Sequence, residues 1–406
     1  MEVVPRKRRP YSTLEKLEMK KTLVALAAIA SVSAFAQTSV SITGNLDMAG
    51  ARFGGTMNGN KGITTFTTAN GSSSTSAINI IATEDIGGGN SVTAFFGLDP
   101  RSIADNGLGS TNNVGSAATS PNAVTATGLA RHEVYVQTTG AFGTIKLGAP
   151  NSIALNVVGD ATPMGTGVGS GYAAASNTQL SRIAPARYSR SLRYDTQAMN
   201  GLTASFLYAP GADTSAVDAA GSAYAAFLAP NARRVNEIGL KYSNGPLNVS
   251  FLNQSQSTAT NYVGWYGTSD TSSAAVNYGA TKYNFASANY NFGNTTVYGG
   301  AGSGQEVMTY AASGALTNTK ASRYSVKHTI GSLDLLASQT KLLRTVQAAT
   351  TTTNENITGF QAVYNMSKTS AAYLGYEKYD SGTIASTANT TSGTRNITSV
   401  GLRKSF

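Results

Sequence analysis

Apolar and polar residues alternate along most of this chain in runs of about ten, the period of a strand with two different faces. In "VNEIGLKYSNGPLNVSFL" (235–252), Ile238, Leu240 and Tyr242 share one face while Glu237, Gly239 and Lys241 share the other. Beyond the tight turn at Ser243 to Pro246, Leu247, Val249 and Phe251 resume the apolar face against Asn248 and Ser250. This pattern predicts an antiparallel hairpin. Further short turns stand at 84–91, 139–144, 199–202, 291–295, 329–334 and 365–370. Between them lie long stretches rich in Gly, Ser, Thr, Asn and Ala, at roughly 51–75, 100–130, 150–186, 210–235, 253–281, 302–321, 341–355 and 380–394. Seven short turns and eight long loops join sixteen strands.

An even strand number with short connections at one end and long ones at the other is the organisation of an outer-membrane barrel. The fold class predicted is therefore all-β: a 16-stranded antiparallel transmembrane β-barrel with short periplasmic turns and long extracellular loops. Lipid offers backbone N–H and C=O groups no partner, so such a sheet must leave no edge. The first strand, "SVSITGNLDMAG", must then pair with the last, "NITSVGLRKSF", which ends on Phe406 at the periplasmic rim. A soluble β-sandwich would want much shorter connections.

Composition adds to this. Charged residues make up only 12% of the chain, yet 20 tyrosines argue against disorder. No cysteine is present, which excludes a disulfide scaffold, a thiolate metal site and a cysteine nucleophile. From Met19, the basic pair Lys20 and Lys21, an apolar stretch from Leu23 to Val32 and the A-x-A site Ala34-Phe35-Ala36 form a secretory signal, with cleavage expected between Ala36 and Gln37. The apolar stretch is too short to span a bilayer, which takes about 20 residues. Residues 1–18 read as an extension from a wrongly chosen start upstream of Met19, although the basic run at 6–9 also resembles a nucleic-acid or twin-arginine patch. The expected division is thus 1–18 extension, 19–36 signal, 37–406 barrel. Removing residues 1–36 leaves 23 basic and 17 acidic residues, a net +6, so much of the headline +10 is discarded.

Four segments then carry a resemblance: "EDIGGGNSVTAFF", "VYVQTTGAFGTIKLG", "SLRYDTQAMNGLTASFLYAPG" and the closing "VGLRKSF". In this order they resemble the general porins of Gram-negative β-proteobacteria, across nearly the whole mature chain. The resemblance implies a homotrimer in the outer membrane, among its lipid and lipopolysaccharide, whose third loop folds into the lumen. It also implies passage of small hydrophilic solutes and ions, and a terminal Phe406 that acts as the signal read by the barrel assembly machinery.

Candidate chemistry is sparse. His132 and His328 are far apart in sequence and read as rim or lumen polar groups, and no metal-ligand spacing stands out. "GTGVGSG" (165–171) lacks the Lys-Ser/Thr ending of a phosphate loop, and its glycines suit a tight fold inside a barrel. Neither an enzyme nor a cofactor, a metal or a nucleic-acid partner is expected. What remains is the charge of the lumen. On the sixth barrel strand, alternation places Arg187, Ser189, Ser191, Arg193 and Asp195 inward and Tyr188, Leu192 and Tyr194 toward lipid, with Arg190 outward at the rim. Lys146 points inward by the same parity, and Arg182 closes a third loop whose one carboxylate is Asp160.

Arg187, helped by Arg193 and Lys146, is expected to make the constriction positive. It matches an arginine that related anion-selective porins place there. Two positions depart from that pattern: Ser76-Ala77-Ile78 lacks an arginine, and His132 stands where arginine is usual, with Arg131 adjoining. The expectation is a weakly anion-preferring general pore. The alternatives are a substrate-specific channel for sugars or aromatic acids, and a loop-plugged barrel acting as adhesin or structural protein.

Overall fold

The structure, a computed structural model, describes residues 38–55, 64–67, 73–98, 132–172, 180, 183–188, 190–210, 234–257, 280–305, 317–346, 351–384 and 393–406. In chain order the strands are β1 (Thr38–Gly55), β2 (Thr64–Thr67), β3 (Ala77–Gly87), β4 (Asn90–Leu98), β5 (Val134–Gly140) and β6 (Gly143–Ala149). A short helix, α1 (Ile153–Gly159), precedes β7 (Ser191–Asp195), β8 (Leu202–Ala209), β9 (Val235–Asn244), β10 (Leu247–Gln256), β11 (Thr281–Asn291) and β12 (Thr295–Gln305). The last five are β13 (Thr317–Ile330), β14 (Leu333–Val346), β15 (Thr351–Asn365), β16 (Ser370–Ile384) and β17 (Gly393–Ser405).

These seventeen strands make a barrel of sixteen, because β2 and β3 share one flank of β1. β2 pairs with Ala49 to Arg52 and β3 with Thr38 to Asn45. From β3 onward each strand pairs antiparallel with the next. β17 then returns to β1, from Asn45 opposite Ser405 to Gly55 opposite Arg395. The predicted seam is therefore formed, and no edge is left along that stretch. All seven predicted short turns join hairpins. One predicted long loop is shorter: β14 runs to Val346 and β15 starts at Thr351, so most of 341–355 is strand. Its Thr and Asn residues read as loop because the lipid belt has ended there, not because the ladder has.

Burial is inverted relative to a water-soluble protein. Asp47, Glu237, Glu377 and Arg323 are buried inside, while Val40, Val400 and Leu402 are more than 60% exposed outside. So much apolar surface is stable only against lipid. Along the outward face of β13, Val326 and Ile330 lie near the short turn, and Asn318, Lys320 and Ser322 lie toward the long-loop end. With 14 residues β13 exceeds the length a bilayer needs, about 9–11 for a tilted strand, so its polar half stands clear of the hydrocarbon.

Candidate functional site: the lumen and its inner loop

The connection from β6 to β7 folds into the barrel. Ser152 caps α1: its Oγ accepts from Leu155 N at 2.9 Å and donates to Pro185 O at 2.5 Å. Ile153, Ala154, Val157 and Val158 bury themselves against Leu207, Leu252 and Phe285 of the wall. Full burial of each aliphatic side chain contributes about 1.5–3 kcal/mol.

Polar latches fix where the loop lies. At its root, Glu237 of β9 accepts from Ile153 N (2.7 Å), Ala154 N (3.3 Å) and Gln254 Nε2 (2.8 Å). The Tyr188 hydroxyl completes this set, accepting from Gln254 Nε2 at 2.9 Å and bonding Glu237. Burial, then the adjacent Glu237 carboxylate, pushes the Tyr188 phenol well above its ordinary range, so it stays a donor. At the other end of α1, Arg323 Nη1 donates to Val158 O (3.2 Å) and Ser325 Oγ to Ala161 O (3.3 Å).

Farther along, the glycine-rich "GTGVGSG" reaches β14–β16. Gly165, Gly169 and Gly171 have φ of 55°, 91° and 68°, a region open to glycine at little cost. The turn presents backbone N–H groups that Glu377 accepts, at 2.6 Å from Gly169 and 3.4 Å from Gly171. Ser338 Oγ bonds Gly169 O, and Gln361 Nε2 donates to Val168 O at 2.5 Å. Gly359 of β15 lies directly against Gly169, where any Cβ on either would collide. The motif that imitates a phosphate loop thus cradles a carboxylate of its own barrel.

The loop covers the inner wall from β8 to β16. Asp160 sits in that seam: Lys241 Nζ pairs with it at 3.1 Å, Ser250 Oγ donates at 2.6 Å, and Asn289 Nδ2 reaches its carbonyl at 3.1 Å. On the β5–β7 side, Lys146 and Arg193 are register partners. Arg193 forks onto Asp195 at 2.9 Å and donates Nη1 to Asn151 O at 2.8 Å. Arg187 Nη1 donates to Asn151 Oδ1 at 3.0 Å, so both arginines meet at the loop's root. Lys146 Nζ lies 5.2 Å from the centre of the Tyr135 ring, which stacks on Phe95 at 5.0 Å.

One orientation is corrected. Tyr188 does not face lipid but is 4% exposed beneath α1. The alternation fails because Arg190 adopts φ 53°, so β7 begins only at Ser191 and residues 187–188 obey a different geometry. Arg190 itself is exposed. Arg182, Arg131, Ala36 and Gln37 lie outside the described residues. Sequence reasoning missed the latches Glu237, Glu377 and Arg323, whose one visible signal is a charge in mid-strand at inward parity.

The profile of the Gram-negative porin family matches residues 22–384. No curated protein matches the chain. Among solved structures, the anion-selective porin from Comamonas acidovorans is similar at TM-score 0.62 and 18% identity, covering 91% of this chain and all of that one. The trimer form of OmpT, an outer membrane protein of Vibrio cholerae, gives TM-score 0.59 at 11% identity over 91% of this chain and 99% of that one. The outer membrane channel DcaP of Acinetobacter baumannii gives 0.56 at 9% identity over 91% and 97%. At these identities the structures establish a shared fold, a closed sixteen-strand antiparallel barrel. With the family match over most of its length, the chain is a member of the Gram-negative porin family, an outer-membrane channel.

Proposed function

We propose that this porin is a general diffusion pore for small hydrophilic solutes and ions with a weak preference for anions, and that it is a channel without catalytic activity. The observation that carries the preference is where lumenal charge is tied down. Asp160, Asp195, Asp334 and Glu355 are ion-paired with Lys241, Arg193, Lys327 and Arg344. Glu237 and Glu377 are spent on backbone N–H groups. Glu133, beside Lys146, accepts from Asn151 N, the residue that Arg187 also bonds, and the positive charge of Lys146 and Arg187 on this side favours anions. The similar fold of the anion-selective porin from Comamonas acidovorans supports this sign.

Arg187→Glu is expected to move the zero-current potential in a KCl gradient toward cation preference, with Arg190→Glu nearly silent. A charge near the path is worth about 1 kcal/mol per nearby pair even in water-like surroundings. The shift fades between 0.1 M and 1 M salt, as the screening length falls from about 10 Å to about 3 Å. A shift with Arg190→Glu and none with Arg187→Glu would reverse the assignment.

A homotrimer is part of this reading, supported by the trimer form of the Vibrio cholerae relative. Outward tyrosines Tyr194, Tyr242, Tyr290 and Tyr364 lie toward the short turns of β7, β9, β11 and β15, and Tyr208 lies at the long-loop end of β8. Among the described residues, the outward faces of β17, β1 and β3–β6 carry no tyrosine. Tyrosine, with an apolar ring and a polar tip, suits the lipid interface, so the arc without outward tyrosine, whose exposed aromatics are Phe96, Phe142 and Phe406, is the face for neighbouring copies. Native and intact mass of protein extracted from outer membranes should give three chains, each starting at Gln37. A monomer, or a mass retaining residues 1–18, contradicts the corresponding part.

A substrate-specific channel is the second reading, favoured by the Phe95–Tyr135 stack with Lys146 above it. That surface suits an aromatic acid or a sugar. Conductance that saturates with one such solute selects this reading; large ohmic steps select the general pore.

A further inference from the structure

A second segment also leaves the wall. Between β2 and β3, Ser73 to Ser76 turn into the lumen, and a buried carboxylate on the inner face of β1 holds them there. Asp47 accepts from Ser73 N (3.1 Å), Ser74 N (2.6 Å) and Ser74 Oγ (3.1 Å) through one oxygen, and from the Tyr373 phenol of β16 through the other. Its own N–H donates to Ser76 Oγ at 2.9 Å. Asn45 Nδ2 adds bonds to Ser74 Oγ (2.7 Å) and Thr75 O (3.1 Å). At the apex, Thr75 Oγ1 lies 3.0 Å from Thr166 Oγ1 of the inner loop.

That contact shapes the passage. The inner loop is latched to the wall from β8 to β16, and residues 73–76 are pinned from β1 and β16. Joined at Thr75 and Thr166, they make one arc over the lumen from β8 round to β1. Burying a carboxylate costs several kcal/mol unless its lone pairs are filled, and here four donors from two separate elements fill them. Such a network fixes a position; a surface bulge would need none of it.

We propose that residues 73–76 are a second constriction element, that Asp47 is the residue positioning it, and that the half-buried Thr75 at its apex borders the path of the permeating solute. This inference rests on the porin reading and adds an element to it. The constriction is then built from two joined elements, the inner loop and this serine-rich strap. Its hydroxyls present neutral donors and acceptors to the lumen, a rim suited to uncharged hydroxylated solutes as well as to ions.

The chain contains no cysteine, so engineered thiols report without background. Thr75→Cys, modified in a planar bilayer by an anionic sulfonatoethyl or a cationic trimethylammonium-ethyl thiosulfonate, should lose unitary conductance with either reagent. The zero-current potential should shift toward cations with the first and toward anions with the second. Oxidation of the double variant Thr75→Cys, Thr166→Cys should form an internal disulfide in the folded, conducting barrel. Asp47→Asn, which loses an acceptor, should raise unitary conductance; should it not fold, the two cysteine readouts decide alone. Modification confirmed by mass with unchanged conductance and potential would overturn the proposal while leaving the porin reading intact. So would a conducting double variant that does not cross-link. Silence of the unmodified protein would instead overturn the porin reading itself.

Discussion

Replacing Glu237 with alanine should give a channel whose unitary conductance is larger and whose open level flickers, in a barrel that still folds. The strand ladder does not depend on this side chain, but the root of the inner loop does. Alanine leaves four donors, Ile153 N, Ala154 N, Gln254 Nε2 and the Tyr188 hydroxyl, without their acceptor in a buried site. An unsatisfied buried donor costs about 1–3 kcal/mol. Opposing release, Ile153, Val157 and Val158 stay apolar and buried, at about 1.5–3 kcal/mol each. The two sums are of the same size, so the loop should exchange between docked and undocked positions instead of leaving for good. Hydration of the freed N–H groups favours the undocked one. Glu237→Gln keeps one acceptor oxygen and should show a smaller change. Wild-type conductance and noise in Glu237→Ala would mean that the apolar contacts alone hold the loop.

The barrel was legible because its constraint is local and repeated. A strand with lipid on one side and water on the other must alternate, and hairpins such as Ile238–Leu240–Tyr242 against Val249–Phe251 do so plainly. Counting turns then gives sixteen strands, and closure follows from the absence of hydrogen-bonding partners in lipid. Parity also put Lys146 and Arg193 on one face, and they are register partners across β6 and β7. It failed at Tyr188, because a single left-handed residue, Arg190, ends the period, and arginine carries no hint of that conformation. Polar stretches were ambiguous for a related reason. "TTTNEN" (351–356) is strand beyond the belt, and "SSTS" (73–76) is an inward strap, yet both have the composition of a loop. The latches were invisible as latches. Glu377 accepts from Gly169, 208 positions away, and nothing in either local sequence announces the other.

The seam yields the second large effect: deletion of Phe406 should cut the yield of folded barrel far more than Lys404→Ala or Ser405→Ala. Phe406 N donates to Gly44 O at 3.1 Å and Gly44 N to Phe406 O at 2.9 Å, one rung beyond the last residues of the β1–β17 ladder. Its ring lies over Gly44, where a Cβ would come within 2.8 Å of Cε2. Glycine is therefore needed at 44 so that the ring can lie against the strand. Deletion removes both bonds and the ring together, and an unpaired backbone group at a lipid edge costs several kcal/mol. Lys404, by contrast, reaches only Thr369 and Ser370 at the exposed turn, so its loss costs little. Phe406→Ala keeps the rung and loses the ring, and should fall between. Gly44→Ala keeps Phe406 but displaces its ring and also crowds the Ala77 carbonyl of β3, 2.7 Å from the new Cβ, so its folded yield should be no higher than that of Phe406→Ala. Heat-modifiable gel mobility of membrane fractions measures the folded fraction. Equal folded yields with and without Phe406 would show that the ladder up to Ser405 closes the barrel unaided.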